Sequence, residues 1–219
     1  MTSTDVPDVH VPTPHPVRGP LNAAFFRLVD GYGHRVLGDR KAALFTDLPR
    51  TVVELGAGTG ANLRHYPAGT RVIAIEPNPA MHAPLRAAAA RHHVDLEIRA
   101  TVAEDTGLAD ASVDAVVSTL VLCTVADPAA AIAEARRILR SGGRLIVLEH
   151  VAAPEGSAVA RLQRTLQSGW RWAFEGCELQ RYTGELLAGA GFAEVDLERF
   201  RAGWIFLPVD HLVAGTLHR

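Results

Sequence analysis

The stretch TVVELGAGTGAN, residues 51–62, decides how this chain can fold. Its first half, TVVELG (51–56), is a short apolar run that ends in glycine, which is typical of a buried β-strand. The segment GAGTG (56–60) carries three glycines, and glycine lets the backbone turn sharply and approach a ligand closely. We expect a helix to begin near Thr59, where the free N–H groups of its first turn would favour an anion.

This loop fits two cofactor-binding patterns. Read as GxGxxA from Gly56 to Ala61, it fits the dinucleotide fingerprint. Read as ExGxGxG from Glu54 to Gly60, it fits the loop of enzymes that use S-adenosylmethionine (SAM). A glycine-rich turn without a ligand is the third interpretation, which Glu76 at the end of the next strand makes less attractive, because both cofactors need a carboxylate there for their ribose hydroxyls.

On the C-terminal side of this loop, apolar strands alternate with helical segments. Near-continuous apolar strands in such an alternation indicate a parallel sheet covered on both faces, that is, an α/β fold. Ligands then bind beyond the carboxyl ends of the strands. Two final runs have no helix-length connection between them and should pair antiparallel as a hairpin at the sheet edge. The predicted strands are residues 51–56, 71–76, 94–100, 112–119, 144–150, 193–200 and 204–219.

Composition excludes several classes of protein. A chain of 219 residues with a net charge of −2 suits a single domain and shows no sign of the basic face that nucleic-acid binders carry. No apolar run approaches the roughly 20 residues that span a bilayer, so we expect no transmembrane segment. The two cysteines, Cys123 and Cys177, lack ligand spacing, so we expect no metal and a reduced, cytoplasmic compartment.

The chain divides into an arm and one domain. Residues 1–20 are rich in proline, lack a signal-peptide core and are expected to form a disordered or loosely packed arm. The domain, residues 21–219, comprises a helical cap (21–48), a cofactor-binding half (49–150) and acceptor-side helices with the final hairpin (151–219). In the cap, DGYGH (30–34) is expected to interrupt the helix as a hinge, with Tyr32 as a lid residue.

AEDTGLADASVDAVVSTLVL (103–122) followed by RRILRSGGRLIVLEH (136–150) resembles the class I SAM-dependent methyltransferases over roughly residues 51–150. The resemblance implies a Rossmann-like, seven-stranded, mostly parallel sheet with helices on both faces and an antiparallel last strand. It also implies SAM as cofactor and S-adenosylhomocysteine as product. The cofactor-binding residues it implies are Glu54, Gly56, Ala57, Gly58, Gly60 and Asn62 in the loop, Glu76 and Pro77 at the ribose, Ala103 and Glu104 at the adenine, and Thr119 and Leu120 near the transferring methyl.

One position departs from that pattern. Many relatives carry Asp where this chain has Val102. We therefore expect the adenine amino group to be bound by Glu104 or Asp105 instead.

A closer resemblance extends over nearly the whole chain. The segments that carry it are GTGANLRHYPAGTRVIAIEPNP (58–79), STLVLCTV (118–125), LEHVA (148–152), GWRWAFEGC (169–177) and LPVDHLVAGTLHR (207–219). They are similar to the small alkyl-thiol S-methyltransferases, which implies methyl transfer to a small-molecule thiol. The other hypotheses are O- or N-methylation of a secondary metabolite or lipid amine, a nicotinamide-dependent oxidoreductase, and a SAM-binding protein without turnover.

His150 is the candidate catalytic base, because it follows strand five and an imidazole has a pKa near 6.5. The alternative is that Glu149 and His150 form a structural hydrogen-bonded pair. Both cysteines could simply pack in the core.

The remaining acceptor-side residues come from the aromatic segment 169–181. Helical phase predicts that Trp170 and Phe174 anchor a helix while Trp172 faces the pocket or solvent, although all three could be core. The predicted substrate-binding residues are Tyr32, Trp172, Cys177 and Arg181. We expect a monomer or weak dimer whose partner is the small-molecule acceptor.

Overall fold

The computed structural model describes residues 15–219, so most of the predicted N-terminal arm (residues 1–14) lies outside the described residues. Among these residues, five α-helices and seven strands follow one another. The helices are α1 (Arg18–Leu44), α2 (Pro79–His92), α3 (Pro128–Ile138), α4 (Ala158–Ala173) and α5 (Thr183–Ala188). The strands are β1 (Thr51–Leu55), β2 (Arg71–Ile75), β3 (Asp95–Arg99), β4 (Val113–Thr119), β5 (Leu139–His150), β6 (Glu194–Arg201) and β7 (His211–His218).

The strands form one sheet in the order β3-β2-β1-β4-β5-β7-β6. Strands β1 to β5 are parallel, and β7 runs antiparallel to both β5 and β6. The predicted seven-stranded sheet with a C-terminal antiparallel hairpin is therefore confirmed. The strand order reverses between β1 and β4, and the crevice at such a reversal is where open α/β sheets bind ligands.

Both faces of the sheet are covered, as the continuous apolar strands require. Val52 of β1 belongs to the cluster that includes Leu85 of α2, whereas Val53 belongs to the cluster with Ile132 of α3. Successive residues of a strand point to opposite faces, so each strand contributes to both clusters. A third cluster around Leu148 and Trp204 lies beside α1 and the β6–β7 connection.

The prediction of a hinge at DGYGH is wrong, because helix α1 runs unbroken from Arg18 to Leu44. A glycine inside a helix costs about 1 kcal/mol relative to alanine but does not break it when packing compensates. Here Tyr32, between Gly31 and Gly33, packs against the third cluster, and its hydroxyl accepts a hydrogen bond from the Ile205 N–H at 2.9 Å.

Two further predictions were wrong in detail. No α-helix begins near Thr59; the loop leads instead into a single 3-10 turn, Leu63–His65. The glycines Gly58 and Gly60 take φ values of 55° and 85°, which are incompatible with a right-handed helix. The last strand begins at His211 rather than at residue 204, because the preceding segment forms a loop with a second 3-10 turn, Leu207–Val209.

Within the described part of the chain, every helix is too short or too polar to span a bilayer.

Candidate active site

A cavity of about 1110 Å³ opens at the carboxyl edge of the sheet. Its floor is made by the glycine loop after β1 and by the ends of β2, β4 and β5. Helix α1 lies along one side and contributes Phe25, Tyr32 and Lys41, among others, while the end of α4 and the β6–β7 connection close the other side. Residues that follow separate strands in sequence therefore meet around one space.

The structure brings together nearly all of the predicted site residues. Gly60 and Arg181 are the exceptions. A side-chain carbon at Gly60 would lie 2.8 Å from the Cβ of Ala88, so this glycine serves close packing against α2. Arg181 donates to the Leu122 carbonyl at 2.6 Å and so supports the loop after β4 instead of lining the cavity. The lining residues are Tyr32, Glu54, Gly56, Ala57, Gly58, Asn62, Glu76, Pro77, Ala103, Glu104, Thr119, Leu120, His150, Trp172 and Cys177.

Asn62 is the centre of a hydrogen-bond network at the glycine loop. Its amide nitrogen donates to Glu54 Oε1 at 2.9 Å and to Thr119 Oγ1 at 2.7 Å. Its amide oxygen accepts a hydrogen bond from Lys41 Nζ at 2.8 Å. The Tyr66 hydroxyl donates to the other oxygen of Glu54 at 2.8 Å. The network joins β1, β4 and α1 at one end of the cavity.

Burial controls the charges in this network. It raises the pKa of Glu54 to about 7, against hydrogen bonds from Tyr66 and Asn62 that favour the carboxylate. Burial also lowers the pKa of Lys41 to about 8, although the nearby Glu54 opposes the change. Sequence reasoning missed Lys41. Its only signal is a basic residue in the last turn of a helix, which the helix dipole explains equally well.

Glu76 lies at the opposite side of the glycine loop and is buried. Its two carboxylate oxygens accept hydrogen bonds from the backbone N–H groups of Gly58 at 2.7 Å and Asn78 at 2.9 Å. Burial raises the pKa of Glu76, while those two hydrogen bonds favour its ionised form. A carboxylate oxygen has two lone pairs, so Glu76 can accept further hydrogen bonds from ribose hydroxyls.

The cavity lining also includes the apolar side chains of Met81, Val102 and Ala103. Glu104 lines the cavity as well, and its carboxylate accepts a hydrogen bond from the Asp127 N–H at 3.1 Å. Asp105 does not line the cavity and accepts instead from the Gly107 N–H. Of the two carboxylates expected to replace the family's Asp, the geometry therefore favours Glu104.

The backbone at Gly56 leaves no room for a side chain, because it packs closely against Val121 in the loop after β4. Its φ is 55°, and an added Cβ would lie 2.6 Å from a methyl carbon of Val121. The glycine loop, the ribose-compatible carboxylate of Glu76, the apolar lining residues and the ammonium of Lys41 together fit SAM, which has a base, a ribose and a zwitterionic amino acid end.

The loop after β4 is held by Glu149, whose side chain is fully buried. It accepts hydrogen bonds from Ser118 Oγ at 2.7 Å, from the Val121 N–H at 2.9 Å and from the Leu122 N–H at 3.2 Å. Burial raises the pKa of Glu149 to about 7. These contacts fix Leu120, which has a φ of 58°. The hydrogen bonds of Glu149 thus go to the loop, which does not support a structural pair with His150.

Where β5 ends at His150, three buried side chains converge. His150 Nε2 lies 3.2 Å from Cys177 Sγ, and the sulfur of Cys123 lies within 4.8 Å of both groups. The Trp170 indole N–H donates to Cys177 Sγ at 3.3 Å. Hydrogen bonding between the thiols lowers the pKa of Cys177 and raises that of Cys123. Although burial acts to lower it, the neighbouring Cys123 raises the pKa of His150.

Aromatic side chains form the wall between this cluster and α1. The rings of Trp170 and Phe174 lie 4.4 Å apart, and Phe174 contacts Phe25 of α1 edge to face at 5.5 Å. Trp172 is 67% exposed at the rim, where its carbonyl accepts a hydrogen bond from Arg18. Trp170 and Phe174 therefore both pack and line the cavity, so the predicted division between anchoring and substrate-facing aromatics is only partly right.

Known proteins resemble this chain in sequence and in fold. The family model for a methyltransferase domain matches residues 53–147. The thiol S-methyltransferase TMT1B of Rattus norvegicus is 40% identical over 199 residues, covering 89% of this chain and 81% of its own. The human thiol S-methyltransferase TMT1A is 36% identical over 178 residues, covering 76% of this chain and 72% of its own.

Among solved structures, a SAM-dependent methyltransferase from Thermotoga maritima, described as a possible histamine N-methyltransferase, superposes with a TM-score of 0.63. It covers 92% of this chain and 99% of its own length at 21% identity. At that identity the likeness concerns the fold alone.

Proposed function

We propose that this chain methylates the sulfur of a small thiol, on the premise that it belongs to the thiol S-methyltransferases, which are class I SAM-dependent methyltransferases. SAM is its methyl donor. The observation that carries the proposal is that one continuous cavity joins the glycine loop and Glu76 to the buried group of Cys123, His150 and Cys177.

When bound, SAM supplies a methyl group on a sulfonium, which a sulfur nucleophile takes in one in-line displacement that leaves the electron pair of the broken bond on the donor sulfur. The chain's residues have to hold and orient the two reactants. Glu76 is proposed to accept from the ribose hydroxyls, and Ala103 and Glu104 to line the adenine. The residues proposed around the methionine end are Glu54, Gly56, Ala57, Gly58, Asn62, Thr119 and Leu120, with Lys41 added by the structure.

His150 is proposed as the catalytic residue at the acceptor end, with the task of making the acceptor sulfur available as a thiolate. A thiol with the ordinary pKa of about 8.5 is only a few per cent ionised at pH 7, so some assistance is useful but a strong base is not required. Tyr32, Trp172 and Cys177 line the same part of the cavity and are proposed to contact the acceptor. The aromatic wall excludes water from the reacting sulfur and favours an apolar acceptor.

The setting of the enzyme belongs to the same proposal. Both cysteines are free and buried, which is consistent with a reducing compartment such as the cytoplasm. We propose a small-molecule acceptor and no nucleic-acid partner, with a monomer or weak dimer as the working state.

The proposal is tested by incubating the purified protein with methyl-labelled SAM and a panel of apolar thiols, phenols and amines. Label is expected on thiols only, whereas label confined to phenols or amines would reject the thiol assignment. Calorimetry with SAM and NADH tests the nucleotide preference, and tight NADH binding without SAM binding would overturn the methyltransferase assignment as a whole.

The role of His150 is tested by His150→Asn, with His93→Asn on an exposed position as control. His150→Asn is expected to lower methyl transfer about 100-fold while the Kd for SAM stays within a factor of two. His93→Asn should change neither quantity. An unchanged transfer rate in His150→Asn would remove His150 from the mechanism.

A further inference from the structure

Three zinc-type ligands meet at the acceptor end although they are far apart in sequence. Cys123 lies in the loop after β4, His150 ends β5, and Cys177 follows α4. Their ligand atoms all lie within 4.8 Å of one another, and all three side chains are buried. Two thiolates and one imidazole are a donor set that zinc prefers. The fold therefore brings together three metal-ligating side chains that the spacing of the two cysteines gave no reason to expect.

The separations suit a tetrahedral ion. Zinc–sulfur bonds of about 2.3 Å and zinc–nitrogen bonds of about 2.0 Å at a tetrahedral angle place neighbouring ligand atoms about 3.5–3.8 Å apart. The observed 3.2 Å between His150 Nε2 and Cys177 Sγ lies a few tenths of an ångström below that range. The outer limit of 4.8 Å on the separations among the three ligand atoms lies above that range. Small side-chain rotations would therefore bring the three groups to ligand positions.

The backbone that carries the two cysteines is already fixed. The Glu178 N–H donates to the Cys123 carbonyl at 2.8 Å, which ties the two cysteine-bearing loops directly together. Arg181 adds a second tie through the Leu122 carbonyl. Ligands held on fixed backbone lose little conformational freedom when an ion binds, so the site is preorganised.

A hydrogen bond also reaches a ligand sulfur from outside the group. The Trp170 indole N–H donates to Cys177 Sγ at 3.3 Å, and a donor of this kind stabilises a thiolate that ligates a metal. Nδ1 of His150 is buried and, among residues 15–219, has no hydrogen-bond partner. No acceptor in that range therefore holds the ring in a single tautomer.

We propose that Cys123, His150 and Cys177 form a zinc site whose fourth position, facing the cavity, takes the sulfur of the acceptor. This inference rests on the proposed function, because it names the way in which the acceptor becomes a thiolate. Three protein ligands with one open position are typical of catalytic zinc, and two thiolates balance the charge of the ion. It makes His150 a ligand and not a proton acceptor.

The chemistry balances without a further reactant. When the acceptor thiol forms its bond to the metal, its proton leaves to solvent, because coordination strongly lowers the pKa of a thiol. The coordinated sulfur then forms its bond to the methyl carbon as the bond between that carbon and the donor sulfonium breaks. The product is a neutral thioether, which is a weaker zinc ligand than a thiolate and can leave the fourth position.

The first test measures metal content, not activity. Protein purified without chelator and then dialysed is expected to hold about one zinc per chain by elemental analysis. Cys123→Ser, Cys177→Ser and His150→Ala should each lower that content at least tenfold, and the control His93→Asn should leave it unchanged. With Co²⁺ in place of zinc, the wild type should show sulfur-to-metal charge-transfer absorption that each cysteine variant weakens.

A second test needs no variant and covers the case in which a cysteine variant fails to fold. The chain has two cysteines. Zinc should therefore protect both from a thiol reagent, and chelator should make both reactive again under native conditions. Zinc content below a tenth of an equivalent, equal reactivity with and without zinc, or a Cys123–Cys177 disulfide in protein kept under reducing conditions would overturn the site.

Assays of thiol methylation distinguish failure of the zinc site from failure of the proposed function. Loss of thiol methylation in chelator-treated protein, restored by zinc alone, is the expected result. Full thiol methylation by metal-free protein would overturn the zinc site and leave the proposed function standing. Stoichiometric zinc without methylation of any thiol would overturn the proposed function and, with it, the role given to the fourth position.

Discussion

Lys41 Nζ donates a hydrogen bond of 2.8 Å to Asn62 Oδ1, which joins helix α1 to the glycine loop. Asn62 in turn donates to Glu54 at the end of β1 and to Thr119 at the end of β4. One amide therefore connects the helix that covers the cavity with the two strands whose ends form its floor. The position of α1 and the shape of the methionine end of the site should depend on each other.

Replacing Lys41 by methionine should weaken SAM binding. The substitution keeps an unbranched side chain that is one atom shorter but removes a charged donor, and a hydrogen bond to a charged group contributes about 1.5–3 kcal/mol. We expect the Kd for SAM, measured by calorimetry, to rise about 10-fold or more. Arg40→Met is the matched control, because Arg40 is the neighbouring residue and its ion pair with Glu198 lies on the surface. Equal effects of the two substitutions would refute the role of Lys41.

Bound SAM should also protect α1 from proteolysis, since the helix lines the cavity from Arg18 to Lys41. Limited digestion with and without SAM, followed by mass spectrometry, gives the cleavage sites. Cleavage within residues 22–48 is expected to slow several-fold in the presence of SAM, as the predicted lid requires. The same rate in both conditions would mean that the segment does not close over the cofactor.

Two glycines should respond to alanine in opposite ways. Gly56 has a φ of 55° and no room for a Cβ, whereas Gly31 lies inside α1 with no atom within 4 Å of the added carbon. Gly56→Ala should cost about 1–2 kcal/mol from the left-handed backbone alone and abolish measurable SAM binding. Gly31→Ala should raise stability by about 0.5–1 kcal/mol. Urea unfolding measures both stabilities and calorimetry measures SAM binding; a stable, SAM-binding Gly56→Ala protein would contradict the requirement for glycine at this position.

The sheet was predictable because the signals for its strands are local. Apolar runs such as TVVELG and RVIAIE are short, end in a loop residue and alternate with helices, which leaves few arrangements other than a parallel sheet. The turn before Leu63 was missed because glycine loops permit both a helix and an extended turn. The continuity of α1 depends on a contact between Tyr32 and Ile205, which lie far apart in sequence.

The positions of the residues at the strand ends were easier to predict than the meeting of the two cysteines, for the same reason. Glu54, Gly56 and Glu76 directly follow or end strands, so the fold class alone places them at one edge. Cys123 and Cys177 lie on two loops that are tied together by a backbone hydrogen bond and by Arg181, and nothing in their spacing reveals that they meet.

The two tryptophans of α4 should differ when each is changed to phenylalanine. Trp170→Phe keeps the ring but removes the N–H donated to Cys177 Sγ, whereas Trp172→Phe changes a residue that is 67% exposed at the rim. We expect kcat/KM for a thiol acceptor to fall about 5-fold in Trp170→Phe, which corresponds to about 1 kcal/mol, and less than 2-fold in Trp172→Phe. Steady-state kinetics at saturating SAM measure kcat/KM for the two variants and for the wild type. A larger effect at Trp172 would place the acceptor at the rim.

The buried carboxyl of Glu54 should make stability depend on pH. Its pKa is about 7 in the folded protein against an ordinary value of 4.5, so the folded chain holds this proton more tightly than the unfolded chain. The stabilisation is therefore complete below pH 4.5 and is lost as the pH rises through 7. Glu54→Gln cannot titrate. Between pH 5 and pH 8 the wild type should lose about 2 kcal/mol more of its free energy of unfolding than Glu54→Gln does.

Urea unfolding of both proteins at pH 5, 6.5 and 8 measures this difference, and the comparison cancels the contribution of Glu149, which is buried in both. Glu97→Gln is the control, because Glu97 is paired with Arg71 and Arg99 at the edge of the sheet and its pKa is lowered, chiefly by the hydrogen bond from Arg71. Its substitution should not reproduce the effect, since a carboxyl with a lowered pKa stabilises the fold above its unfolded pKa and not below it. Parallel pH profiles for wild type and Glu54→Gln would show that Glu54 is already ionised well below pH 7. The network around Asn62 would then carry a fixed negative charge throughout the physiological range.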